Sequence, residues 1–258
     1  MTVHFIGAGP GAADLLTLRA RDRIASCGSC LYAGSLIPEG VLAHLPSGVS
    51  AINTAGMALE TIIQHMIRAT ADGHDVARLQ SGDLAVYSAL SEQLAALTSA
   101  GIAYTLTPGV PAFSAAAAAL GQELTRPEIA QSLVITRVEG RASAMPPGET
   151  LARFAATGST LALHLSLHRA ETITQRLLPH YGVSCPVAVV QRASWPNERI
   201  VRATLGTLVD TLDRALTTRR SAILFVGPVL AARSDATLAR SALYDPKHVS
   251  THQWAHED

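Results

Sequence analysis

The chain has 258 residues, of which 48 % are hydrophobic, and it balances 20 basic against 20 acidic side chains. A neutral chain of this length can bury one large or two modest cores, and it has no global field to attract nucleic acid, so an anionic substrate has to meet a local basic patch. Apolar runs break well short of a membrane span, and Met1-Thr2-Val3-His4 lacks the basic and apolar regions of a secretory signal. A soluble cytoplasmic protein with no membrane and no nucleic-acid partner is therefore expected.

In chain order, the first half alternates short β-like runs and amphipathic helical stretches at 3–6, 15–26, 30–33, 41–45, 50–52, 58–71, 76–79, 91–99, 103–106 and 112–120. This alternation predicts an α/β layer with a largely parallel sheet, whose ligands bind beyond the carboxyl ends of its strands. After Gly121 the pattern changes. Residues 132–136, 160–165, 187–191, 200–204 and 222–226 are β-like, with helices at 170–178 and 208–216. Two β-runs flanking Trp195-Pro196-Asn197-Glu198 predict a hairpin and hence a mixed sheet. The expected organisation is an N-terminal α/β domain over 1–116, a C-terminal α/β domain over 117–246, and a polar tail over 247–258.

Three glycine-bearing loops follow predicted strands: Gly7-Ala8-Gly9-Pro10-Gly11, Ser81-Gly82-Asp83, and Pro108-Gly109-Val110-Pro111. Taken alone, Gly7-x-Gly9-x-x-Ala12 is a weak dinucleotide fingerprint. A nicotinamide cofactor would need an acidic residue after the second strand to hold its ribose, and residues 30–35 contain no carboxylate. A P-loop is excluded because no Gly-Lys-Ser/Thr follows, and Pro10 removes one amide donor from any phosphate cradle. Cys27-x-x-Cys30 has no second pair to complete a zinc site and is read as buried packing. His164 and His168 are four apart, but 160–165 reads as a strand, and only a helical turn would bring that spacing close enough to share a metal, so no metal site is assigned.

Together these loops resemble the tetrapyrrole methyltransferase family, over nearly the whole chain. Gly7 to Gly11 with Leu16-Thr17-Leu18-Arg19-Ala20 is similar to its opening motif, Gly82-Asp83 with Tyr87 to its second, and Pro108-Gly109-Val110 to its third. Tyr32-Ala33-Gly34-Ser35-Leu36, Ala55-Gly56-Met57, Thr136-Arg137-Val138-Glu139-Gly140-Arg141 and Ser241-Ala242-Leu243-Tyr244-Asp245 resemble stretches typical of the branch that methylates precorrin-4 at C11. Leu84 stands where most relatives have Pro, and Pro111 where many have Thr or Ser.

The resemblance implies two α/β domains with the cofactor cleft between them, a homodimer, and C-methylation of precorrin-4 with S-adenosylmethionine as methyl donor and S-adenosylhomocysteine as product. It implies cofactor contacts at Pro10, Ser81, Gly82, Asp83, Val86, Pro111, Ala112, Leu165 and Ala193. Asp83 and Tyr87 are the catalytic candidates. Asp83 could orient the cationic ligand or bond its own turn, and Tyr87 could border the macrocycle or pack in the core. For the substrate carboxylates, Arg19, Arg126, Arg137, Arg141 and His168 are the candidate donors. A sulfonium methyl is already activated, so positioning rather than a nucleophilic residue is expected to carry the chemistry. Whether the macrocycle carries cobalt stays open, as do a sibling corrinoid methyltransferase, a dehydrogenase using only the first loop, and a non-catalytic tetrapyrrole carrier.

Overall fold

The computed structural model describes residues 1–139 and 144–231. The first unit takes in Met1–Leu120 together with Val190–Arg199. Its sheet is built from β1 (Thr2–Gly7), β2 (Ser29–Tyr32), β3 (Ala51–Asn53), β4 (Val76–Gln80) and β5 (Ala103–Thr107), in the order β3-β2-β4-β1-β5. Every pairing is parallel. Helices α1 (Leu18–Ser26), α2 (Glu39–Leu42), α3 (Leu59–Ala71), α4 (Leu90–Ser99) and α5 (Ala112–Leu120) connect or follow the strands.

Strand alternation divides the core of this unit between the two faces of the sheet. Ile6, Ala77 and Leu79 pack with Ala20 and Ile24 of α1 and with Cys27 and Cys30. Val3, Phe5, Leu31 and Val76 pack on the other face with Ile62, Ile63 and Met66 of α3 and Leu97 of α4. The two cysteines are therefore core residues, and burial pushes their thiols up to about 11 and about 12, far from the thiolate form that redox or metal chemistry uses. Helix α1 starts at Leu18 rather than Leu15, because Thr17 caps it by accepting the Ala20 amide at 3.1 Å and a separate 3-10 turn occupies Ala13–Leu15.

The second unit comprises Gly121–Val189 and the chain from Ile200 onward. Strands β6 (Leu133–Thr136), β7 (Thr160–Leu163), β8 (Pro186–Gln191), β9 (Arg199–Thr204) and β10 (Ala222–Val226) form a sheet in the order β6-β7-β10-β8-β9. It is mixed: β6 runs parallel to β7, and β10 antiparallel to it. Helices α6 (Leu151–Ala155), α7 (Ala170–Tyr181) and α8 (Leu208–Ala215) accompany it, and Leu161, Leu163, Ile173, Leu177, Leu208 and Leu212 share one apolar core. Helix α7 continues past Leu178 through Pro179, in its last turn. The five-residue α6, capped by Thr150, lies in a region with no helical period to reveal it.

Candidate functional site

In the first unit β1 is flanked by β4 and β5, and the register aligns their exits, with Gly7 opposite Gln80 and Ile6 opposite Thr107. The three glycine loops thus leave the carboxyl edge of three adjacent strands, where an open α/β sheet takes its ligand. Main-chain bonds tie the first two together. Ala8 N donates to Gln80 O at 2.8 Å, Gly9 N to Gly82 O at 3.1 Å, and Gly82 N to Gly9 O at 2.7 Å. Gly9 and Gly82 adopt φ of 74° and 70°, which glycine enters without strain.

The third loop comes equally close. A Cβ on Gly7 would stand 2.5 Å from Gly109 N and 3.0 Å from Gly82 O, and one on Gly109 would collide with the carbonyl oxygens of Gly7 and Gly82. Glycine at 7 and 109 is thus what allows the three exits to meet. Asp83 bolts the second loop to the third: Oδ1 accepts from Ala85 N at 2.7 Å and Oδ2 from Gly109 N at 3.0 Å. Both oxygens of this carboxylate act on the loops, one of them within its own turn as an Asx bond.

After Asp83 the chain plants Leu84 in the core and then exposes Val86 partly and Tyr87 at 46 %. Tyr87 has φ 55° and Ala89 φ 49°, left-handed conformations that cost a non-glycine residue about 1–3 kcal/mol and cluster at functional sites. Leu84, the departure from the family's usual Pro, contributes a buried side chain.

Sequence reasoning missed the clamp on the first loop. Trp195 Nε1 donates to Pro10 O at 2.9 Å, and its ring lies so close to Gly11 that any side chain there would strike it. Ala12 N donates to Ser194 Oγ at 3.0 Å, and Ser194 N donates to Glu198 Oε2 at 2.7 Å. The Arg192 guanidinium sits 5.5 Å from the Trp195 ring centroid, a cation–π stack. Arg192 and Ser194 have φ of 51° and 67°, and buried Ala193 lies between them. The sequence showed only a turn between two strands at this place, because the contacts reach 182 and 185 residues back along the chain.

The structure thus brings together Pro10, Ser81, Gly82, Asp83, Val86, Tyr87, Pro111, Ala112 and Ala193 on strand exits or their clamp within the first unit. In the second unit Leu165 follows β7, exposed at 68 % with φ 54°. Ser166 joins the exits of β6 and β7, its hydroxyl donating to His164 O at 2.6 Å and accepting from Val138 N at 2.8 Å. Burial lowers the His164 imidazole to about 4. Among the substrate candidates, Arg19 and His168 are exposed, while Arg126 is 8 % exposed in a turn bridged to Ala130. Arg137 directs its guanidinium to the carbonyls of Val138, at 3.4 Å, and Ala144, at 3.1 Å. Arg141 and the 241–245 stretch lie outside the described residues.

The profile of the Tetrapyrrole (Corrin/Porphyrin) Methylases matches residues 2–209. The chain belongs to this family. It is 54 % identical over 248 residues, 96 % of each chain, to a precorrin-4 C(11)-methyltransferase from Sinorhizobium sp. The solved structure of a cobalamin biosynthetic enzyme, cobalt precorrin-4 methyltransferase, superimposes with a TM-score of 0.86 at 34 % identity, over 90 % of this chain and 96 % of that one. The uroporphyrin-III C-methyltransferase of Thermus thermophilus, complexed with S-adenosylhomocysteine, gives 0.75 at 27 % identity, over 89 % and 99 %. The expected tetrapyrrole methylase fold, a parallel sheet followed by a mixed one, is the fold observed.

Proposed function

We propose that this tetrapyrrole methylase transfers a methyl group from S-adenosylmethionine to C11 of precorrin-4, giving precorrin-5 and S-adenosylhomocysteine, a step in cobalamin biosynthesis. The observation that carries the reading is the 54 % identity across 96 % of the chain with a precorrin-4 C(11)-methyltransferase. The lower identity, 34 %, to the cobalt precorrin-4 enzyme supports the metal-free macrocycle as substrate.

The residues at the strand exits fit an adenosyl ligand. Three glycines bring main-chain amides and carbonyls together at the sheet edge, and the residues proposed to border the ligand there, Pro10, Ala112 and Ala193, are uncharged and compact. The cofactor contacts are assigned to Pro10, Ser81, Gly82, Asp83, Val86, Pro111, Ala112 and Ala193, with Leu165 at the corresponding strand exit of the second unit. When bound, S-adenosylmethionine would supply an activated methyl, the C–S electron pair staying on sulfur while a π pair of the macrocycle carbon forms the new C–C bond, and the macrocycle would then release a proton to solvent.

No residue of the chain has to become a nucleophile. The glycine junction and Asp83 hold the loops in one arrangement, and the Val86-Tyr87 segment borders the ligands and excludes water. Positioning of this kind can contribute about 7–11 kcal/mol to a two-substrate reaction. Arg19 and His168, the exposed basic candidates, meet the substrate carboxylates. The family resemblance supports a homodimer, and the short apolar runs of the sequence a cytoplasmic location; no described helix is long and apolar enough to cross a membrane.

The test is incubation of the purified protein with S-adenosylmethionine and precorrin-4, followed by mass spectrometry. Gain of one methyl, absent with NAD in place of the methyl donor, supports the reading. An unmodified macrocycle in the presence of a folded enzyme overturns it.

A further inference from the structure

Arg78, on β4 three residues before the second glycine loop, is 4 % exposed, yet its described partners are neutral. Nε donates to Gln93 Oε1 of α4 at 2.9 Å, and Nη1 donates to Thr54 Oγ1 at 3.0 Å. The Thr54 hydroxyl in turn donates a hydrogen bond to Tyr32 O at 3.0 Å. Gln93, 3 % exposed, completes the chain by donating from Nε2 to Ala89 O at 3.1 Å. Burial lowers the guanidinium to about 10, the mark of a cation held away from water, yet it stays fully charged at neutral pH. A buried cation without an anion is costly, and apolar residues of similar volume would pack β4 against α4 at least as well.

Where the chain of bonds ends gives it a purpose. Ala89 caps α4 from a left-handed conformation, φ 49°, with no side-chain cap of its own. It closes the segment that began at Asp83 and that presents Val86 and the left-handed Tyr87. One end of this segment is fixed by Asp83 on Gly109 N and by Leu84 in the core. Ser88 Oγ, bonded to Leu84 O at 2.5 Å, draws the segment in on itself. The other end is held by the Gln93 amide on Ala89 O.

We infer that Arg78 and Gln93 are positioning residues for the methyl transfer, forming a buried relay from β4 through α4 that holds the Ala89 carbonyl and thereby sets the Val86-Tyr87 segment against the ligands. The inference rests on the proposed function for the identity of those ligands. The relay works in one direction: Arg78 orients the Gln93 amide so that Oε1 faces β4 and Nε2 faces the loop.

Gln93→Glu separates this role from mere stability. It keeps an acceptor for Arg78 and adds the missing opposite charge, but it removes the donor to Ala89 O and leaves two oxygens face to face. The expected result is a melting midpoint at or above wild type, with amide hydrogen exchange over residues 84–89 about tenfold faster in the ligand-free protein. The S-adenosylhomocysteine dissociation constant and KM for S-adenosylmethionine rise about tenfold, with a smaller change in kcat. Should Gln93→Glu fail to fold, the double variant Arg78→Met, Gln93→Leu replaces both polar groups with apolar ones, and the same exchange and binding changes are expected. Unchanged exchange over 84–89 overturns the relay whether or not ligand binds. Faster exchange with unchanged affinity and KM overturns its role in ligand positioning. Failure of the folded wild type to bind S-adenosylhomocysteine overturns the functional reading, and the exchange experiment still decides the relay.

Discussion

At Asp83 a single carboxylate holds two loops, with Ala85 N on one oxygen and Gly109 N on the other. Asp83→Asn keeps one acceptor but turns an amide NH2 toward a main-chain donor. Losing the partly buried contact to Gly109 N costs about 1–2 kcal/mol, so kcat/KM for methyl transfer should fall roughly 5- to 30-fold, with loss of S-adenosylhomocysteine affinity in calorimetry. A wild-type rate in Asp83→Asn would show that the junction tolerates being loosened. His164 sets a pH limit on stability. Its folded pKa is lowered from 6.5 to about 4 by burial, so between those values the unfolded chain binds more protons than the folded one. Stability should therefore fall as pH drops from about 6.5 to about 4 and lose nothing more from this group below that. Urea denaturation across the window should show a shallower slope in His164→Gln.

The strands and the glycine loops were legible in the sequence because their signals are local: an apolar run, then Gly or Pro where the chain must turn sharply. The helix 112–120 was read at its observed limits because Pro108-Gly109-Val110-Pro111 marks its start and Gly121 its end. Elements without a local signal escaped, such as the five residues of α6 and the last turn of α7 beyond Pro179. The clamp escaped for another reason, since Trp195 and Ser194 act on residues more than 180 positions earlier. Trp195→Phe keeps a ring against Gly11 but removes the donor to Pro10 O. It should lower stability by about 1 kcal/mol in chemical denaturation and weaken S-adenosylhomocysteine binding. Retention of full affinity would mean that Pro10 is placed without the clamp. Similarly, the Arg78 and Gln93 pairing could not be read from sequence, because an Arg in a strand and a Gln in a helix are ordinary until their burial is known.

For the whole molecule, the neutral charge balance and the three glycine loops point to the same conclusion as the family match over residues 2–209. With no net charge the chain has no global field to draw in a polycarboxylate, so the proposed recognition falls to local basic side chains such as Arg19 and His168. The fold supplies a rigid edge of three strand ends, and the methyl donor supplies the reactive bond, which leaves regiochemistry to the placement of the macrocycle. The measurement that tests this most directly is carbon-13 NMR of the product formed from precorrin-4 and S-adenosylmethionine labelled at its methyl carbon. The account predicts one labelled methyl, attached at C11. A label on any other ring carbon, or none with a folded enzyme that binds S-adenosylhomocysteine, would contradict it.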